Sequence, residues 1–225
     1  MAEKQILYVI AGTNGTGKSS HFYAFIPVNI PVINTDAIAK QLKEKSFSET
    51  ELYAIANEEG NKMLQQYLDE NKSFGIETNL ADNGSWKMIL DIQSRGYTIQ
   101  IFYFGINDLN LSIRRIAERV LRGEHHVPEN LVKERLLNSA SLLNHYYKKP
   151  DLIVFIDNTI YPQKIAILKT GKIIFKVKKL PEWITENFSP IFSRKKKKAN
   201  SLNVQLAASI EEVKLLYSKM KNKKG

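Results

Sequence analysis

One octapeptide constrains this chain more than any other feature in it. Gly12-Thr13-Asn14-Gly15-Thr16-Gly17-Lys18-Ser19 follows the pattern G-x-x-x-x-G-K-[ST]. Residues 5–11, QILYVIA, precede it. They read as a short buried strand, because the run is apolar and rich in β-branched side chains. A helix is expected to begin near Lys18. In that strand–loop–helix setting the pattern is a phosphate cradle rather than a glycine-rich surface turn. Gly12, Gly15 and Gly17 let backbone N–H groups close on phosphate oxygens. Thr13, Asn14, Thr16 and Ser20 complete the nucleotide-binding stretch. The helix N-terminus adds its partial positive charge. Lys18 reaches the β- and γ-phosphates, and the Ser19 hydroxyl ligates Mg²⁺. ATP and Mg²⁺ are therefore the expected cofactors.

The rest of the chain alternates strands and helices. Residues 30–33 (IPVI), 73–77 (SFGIE), 98–104 (TIQIFYF) and 152–156 (LIVFI) read as further strands. Thr35–Asp36 offers an N-cap for a helix through AIAKQLKEK. Residues 48–67 carry apolar positions at helical spacing. Residues 85–95 form a helix closed by Gly96. Residues 110–121 and 128–145 are two helices interrupted near Gly123. Five strands alternating with helices imply βαβ units and a parallel sheet. Residues 165–177 differ: IAIL, KTGK and IIFKV read as a β-hairpin at a sheet edge.

Composition bounds the class. The chain has 225 residues, 43% hydrophobic and 25% charged, enough for one α/β domain with appendages. It has no cysteine, which excludes disulfides, thiolate metal sites and cysteine nucleophiles. MAEKQILYVIAG lacks the form of a leader peptide, and no stretch approaches the roughly 20 apolar residues of a bilayer span. A soluble, cytoplasmic protein without membrane attachment is expected. The net charge is +10, carried mainly by the C-terminal end. RKKKKANS reads as a linker and SIEEVKLLYSKMKNKKG as a short basic amphipathic helix. We expect a main domain over residues 1–190 and a basic linker and helix over 191–225. Such a tail can meet nucleic acid, an anionic membrane or an acidic protein partner, or can simply be solvated.

A phosphate cradle alone does not choose among kinase, ATPase and GTPase. No N-K-x-D base-reading motif is found, which disfavours a GTPase. LIVFID, ending in Asp157, has the pattern of a Walker B strand. A kinase needs a base, an acceptor floor and positive charges that close over the transferring group. Asp36, just past the second strand, should face the crevice of the P-loop. It can accept the acceptor's proton or cap the next helix. Glu77 and Thr78 end the third strand at the same edge, where they can hold the acceptor, orient Mg²⁺-bound water or start a loop. Arg115, Arg119 and Arg122 share one helical face, and Arg114 and Arg135 lie nearby. Such a face can be a lid whose guanidiniums grip phosphate oxygens, or a solvated, salt-bridged surface. His125 and His126 have no partner ligands and make no metal site.

Taken together, AGTNGTGKSS, INTDAIA, SFGIETNL, RGYTIQIFYFG, RVLRGEHHVPENLVKERL and DLIVFIDNT resemble, in order, the zeta-toxin family of P-loop kinases. The likeness runs from about Ile6 to Asn158. It implies a P-loop kinase three-layer sandwich: a five-stranded, mainly parallel sheet, a helical lid, and a C-terminal β-hairpin plus basic tail. Family members resemble UDP-N-acetylglucosamine kinases, moving the ATP γ-phosphate to a sugar hydroxyl. By that resemblance Lys18 and Ser19 bind ATP and Mg²⁺, Asp36 is the general base, and Glu77 and Thr78 line the acceptor site. Arg119 and Arg135 are the lid arginines, with Arg122 a further candidate. The family also implies a small antitoxin partner. Asn79, Ala81, Asp82 and Glu124 depart from the family pattern. A nucleotide-dependent binding module that uses the basic C-terminus, and an ATPase that uses Asp157, are the competing readings.

Overall fold

The architecture was read from a computed structural model, which describes residues 4–42, 47–121 and 127–193. Contacts divide the chain after Phe192, and the elements below all belong to the first unit. They run β1 (Ile6–Ala11), α1 (Lys18–His21), β2 (Val32–Ile33), α2 (Thr35–Leu42), α3 (Glu49–Asp69), β3 (Phe74–Thr78), α4 (Asn83–Ser94), β4 (Thr98–Gly105), α5 (Leu109–Leu121), α6 (Glu129–Tyr146), β5 (Leu152–Asp157), β6 (Gln163–Lys169), β7 (Lys172–Lys176), α7 (Glu182–Asn187) and α8 (Ser189–Phe192).

The sheet order is β2-β3-β1-β4-β5-β6-β7. The first five strands are parallel, and β6 and β7 join antiparallel. The expected sheet had five strands; it has seven, because the C-terminal hairpin pairs with β5 and extends the same sheet. The hairpin turns through Thr170 (φ 46°) and Gly171 (φ 74°), the two positive φ values of a tight type I′ loop. The strands β1, β4 and β5 are buried on both faces, so they read as continuous apolar runs.

The two faces are covered unequally. Leu7, Val9, Ile99, Ile101, Ile153 and Phe155 point to one side. There they meet Trp86 and Ile89 of α4, Ala140 and Leu143 of α6, and Trp183 of α7, with α2 and α3 at the margin. Tyr8, Ile10, Phe102, Phe104, Val154 and Ile156 point to the other, where Phe22 and Ile26 cover them. That second layer is thin. The helix begun at Lys18 lasts four residues, tightens to a 3₁₀ turn over Phe22–Ala24, and meets Pro27, which has no N–H to continue it. The helices α5 and α6 share a separate small seam of Ile116, Val127 and Val132.

Helix entries follow local chemistry. Ser48 caps α3, accepting from Glu51 N–H, while the Glu51 carboxylate accepts from Ser48 N–H, a reciprocal capping box. Asp82 caps α4 through Ser85 N–H. The cap of α2 differs from expectation. Asn34 Oδ1 accepts from Ala37 N–H at 3.0 Å, so Asn34, not Thr35–Asp36, closes that helix start. Among the described residues, no helix is long and apolar enough to cross a membrane.

Candidate active site

Parallel strands deliver their C-terminal ends to one edge of the sheet. At that edge β1 opens into the P-loop, β3 ends at Glu77 and Thr78, and β2 ends beside Asn34. The loop is tightly folded. Thr13, Asn14, Thr16 and Lys18 are all buried, and Thr16 Oγ1 donates to Thr13 O at 2.8 Å. Gly17 has φ 78°, and a Cβ there would meet the Asn158 amide; only glycine suits both demands.

Glu77 ties this loop to its neighbours. Ser19 Oγ donates to Glu77 Oε1 at 2.6 Å, and Asn34 Nδ2 donates to Glu77 Oε2 at 2.7 Å. Lys18 Nζ lies 3.7 Å from Glu77 Oε1 and donates to Thr13 O and Asn79 Oδ1 at 3.5 Å. Burial pushes the Lys18 ammonium below the ordinary lysine range. The carboxylates of Glu77 and then Asp36 oppose this, and Arg119 and Arg135 reinforce it. Those four charges therefore converge on the buried lysine of the P-loop. Asp36 itself is exposed on the first turn of α2. Because Asn34 caps that helix, Asp36 is not spent on capping. The Thr78 hydroxyl accepts from Leu80 N–H at 3.0 Å, which shapes the loop after β3. There Leu80, fully buried, holds a φ of 55°.

The arginines divide among several tasks. Arg135 of α6 donates to Asn14 Oδ1 at 2.8 Å. Arg115 of α5 donates to Asn158 O and Thr159 O at 3.1 and 3.3 Å, fixing α5 to the end of β5. Arg119 lines a cleft of about 310 Å³ with the P-loop, His21, Arg115, Glu118 and Asn158, and Ser20 is also on its wall. Arg122, His125 and His126, together with the basic tail from Arg194 onward, lie outside the described residues.

The Walker B reading of Asp157 does not hold. Its Oδ1 accepts from Trp183 Nε1 at 3.0 Å and from Thr159 Oγ1 at 2.7 Å, and β5 is separated from β1 by β4. The carboxylate is a buried anchor for α7. The acid beside the P-loop is Glu77, because β3 is the strand that pairs with β1.

Three contributors escaped the sequence reading. Asn34 and Asn158 each follow directly on a strand, and Asn158 Nδ2 donates to Thr16 O at 2.8 Å. A polar residue just past a strand end was the available signal. Tyr53 of α3 is half-buried. Burial raises its phenol; Asp36 and Glu49 add to this, and Arg135 and Arg119 oppose it. Tyr53 thus belongs to the same charged cluster. Nothing in its helical spacing distinguished it from a core position.

No family model matches the sequence. An uncharacterised protein of Haemophilus influenzae is 30% identical over 139 residues, which is 60% of this chain and 94% of that relative. The chain belongs to that protein's family. Among solved structures, a chain of the AvrRxo1-ORF1:-ORF2 complex with ATP superposes with a TM-score of 0.65 at 11% identity, over 88% of this chain and 67% of that one. A chain of the PezAT chromosomal toxin–antitoxin system of Streptococcus pneumoniae gives a TM-score of 0.53 at 16% identity, over 70% and 69%. At such identities the likeness carries the fold alone. It is the zeta-toxin-like P-loop kinase fold, and in this chain the Asn34–Glu77–Ser19 linkage lies where β2, β3 and the P-loop meet.

Proposed function

We propose that this chain is an ATP-dependent kinase that transfers the γ-phosphoryl group to a hydroxyl of a small acceptor, a sugar nucleotide such as UDP-N-acetylglucosamine. The observation that carries this reading is convergence: Asp36, Glu77, Arg119 and Arg135, from four different elements, act on the buried Lys18. Asp36 on the first turn of α2 is exposed, where an acceptor hydroxyl can reach it.

In this reading the P-loop N–H groups and Lys18 hold the triphosphate. Hard oxygen donors suit Mg²⁺, and Ser19 with Glu77, 2.6 Å apart, would hold it. The ion would supply neutralisation of phosphate charge. The acceptor oxygen attacks the γ-phosphorus, its proton passes to Asp36, and the bond to the β–γ bridging oxygen breaks to release ADP. Arg119 and Arg135 stabilise the charge that develops on the transferring oxygens. Thr78, Asn79 and Tyr53 form the acceptor side. ATP as donor suits a cytoplasmic reaction. The likeness to the PezAT toxin–antitoxin system supports a small protein partner that restrains the enzyme.

The test is an acceptor screen. The protein is incubated with Mg·ATP and a panel of sugar nucleotides and nucleosides, and products heavier by one phosphate are sought by mass spectrometry. ATP hydrolysis with no phosphorylated product from any acceptor overturns the reading. Asp36→Ala is expected to lower transfer by roughly 10²–10⁴-fold while Mg·ATP binding persists. The kinase unit is taken as residues 1–190, so deleting 194–225 should leave transfer intact; a binding module built on that basic segment would lose its function instead.

A further inference from the structure

Arg135 and Asn14 are 121 residues apart in sequence, yet Arg135 Nη1 donates to Asn14 Oδ1 at 2.8 Å. Asn14 is only 7% exposed, so its carboxamide meets Arg135 in a largely buried setting. Thr16 Oγ1 and Lys18 Nζ both donate within the loop to Thr13 O, and Ser19 Oγ donates to Glu77 of β3. Asn14 instead reaches across to α6.

We propose that Asn14 is a positioning residue that presets the Arg135 guanidinium over the phosphate cradle before the donor nucleotide arrives; this rests on the kinase reading above. A guanidinium has five N–H donors. Asn14 engages one of its two terminal amino groups, and the remaining donors can meet anionic oxygens. An arginine also has much rotamer freedom to lose on binding. Holding it in the folded protein moves that loss out of the reaction step, which is how preorganised donors gain their effect. The chemistry of the holder matters as well. A carboxamide oxygen accepts the hydrogen bond without neutralising the cation, whereas a carboxylate would form an ion pair and draw the guanidinium away from phosphate. The same contact read with the opposite sign is a latch that must break for turnover, and experiment separates the two.

The experiment is a double-mutant cycle of Asn14→Ala and Arg135→Ala, read on kcat and on KM for ATP. It is paired with the Arg135 guanidinium resonance in nucleotide-free protein. Asn14→Ala is expected to lower kcat about tenfold, with KM for ATP within about twofold, and to have no further effect once Arg135 is alanine. The slow-rotating Arg135 guanidinium signal of the wild type should vanish in Asn14→Ala and persist in Asn14→Asp. Unchanged or raised kcat in Asn14→Ala, multiplicative effects in the double variant, or a guanidinium signal indifferent to Asn14 each overturn the proposal. Loss of ATP binding in Asn14→Ala would mark a merely structural role and overturn it too. If the wild type phosphorylates no acceptor, the kinase reading fails by itself, while the guanidinium signal still reports whether Asn14 holds Arg135.

Discussion

Tyr103 illustrates how one side chain couples the core to solution conditions. It is 1% exposed on β4, and its hydroxyl donates to Ser139 Oγ at 3.1 Å. Burial pushes its phenol from an ordinary 10 up to about 12. The native state therefore favours the protonated form. Its contribution is fully present below pH 10 and is lost as pH rises from 10 to 12, because the unfolded chain releases the proton first. Two units correspond to about 3 kcal/mol. Urea unfolding of Tyr103→Phe should show about 1 kcal/mol less stability at neutral pH, where Ser139 loses its partner. Its stability should then fall less than that of the wild type above pH 10; parallel curves would refute this. Some of this scale was legible from sequence: the cradle, Asp36 and Glu77 were placed by motif and strand end. The Asn34–Glu77–Ser19 linkage was not, since its members are up to 58 residues apart and only strand order brings them together. The competing reading of Asp157 stayed open for the same reason: a run of apolar residues ending in Asp does not say which strand pairs with β1.

Among the elements, β4 and α7 meet most tightly at Gly105. A Cβ there would lie 2.5 to 2.6 Å from three ring carbons of Trp183. Gly105→Ala must displace that indole and so loosen its hydrogen bond to Asp157. Overpacking of this kind costs about 1–3 kcal/mol, and a thermal melt should show the loss; an unchanged Tm would mean that α7 yields freely. The elements themselves were largely readable. Runs such as LIVFI and TIQIFYF declare buried strands, and the capping box at Ser48 and Glu51 was available in sequence. Two things were hidden. One is how short α1 is: Pro27 forbids a long helix, but the turn that brings Phe22 and Ile26 onto the sheet is a tertiary demand. The other is the strand count: the hairpin was expected at a sheet edge and lies there, but that its two strands extend the main sheet follows from pairing with β5, which spacing does not encode.

Across the whole molecule, the unequal cover of the sheet concentrates risk. Six of the described helices share one face, whereas Phe22 and Ile26 close the other over Tyr8, Ile10, Phe102 and Phe104. Phe22→Ala opens a cavity with little nearby structure to collapse into it, and should cost about 3–5 kcal/mol. Phe22 is also four residues beyond Lys18, so the same variant should weaken Mg·ATP binding measured by calorimetry. Tight ATP binding in a strongly destabilised Phe22→Ala protein would show that the cradle does not depend on this layer.

The anchoring of Trp183 on Asp157 has an optical corollary. The chain holds two tryptophans: Trp86, stacked on Tyr146, and Trp183, whose indole N–H faces a carboxylate. The residue after that carboxylate is Asn158, which touches the P-loop carbonyl of Thr16. Indole emission responds to the field of a neighbouring carboxylate, so any shift of this strand end on nucleotide uptake changes the fluorescence of Trp183. In a Trp86→Phe background the protein would report occupancy of its own donor site by colour and intensity, with no label attached.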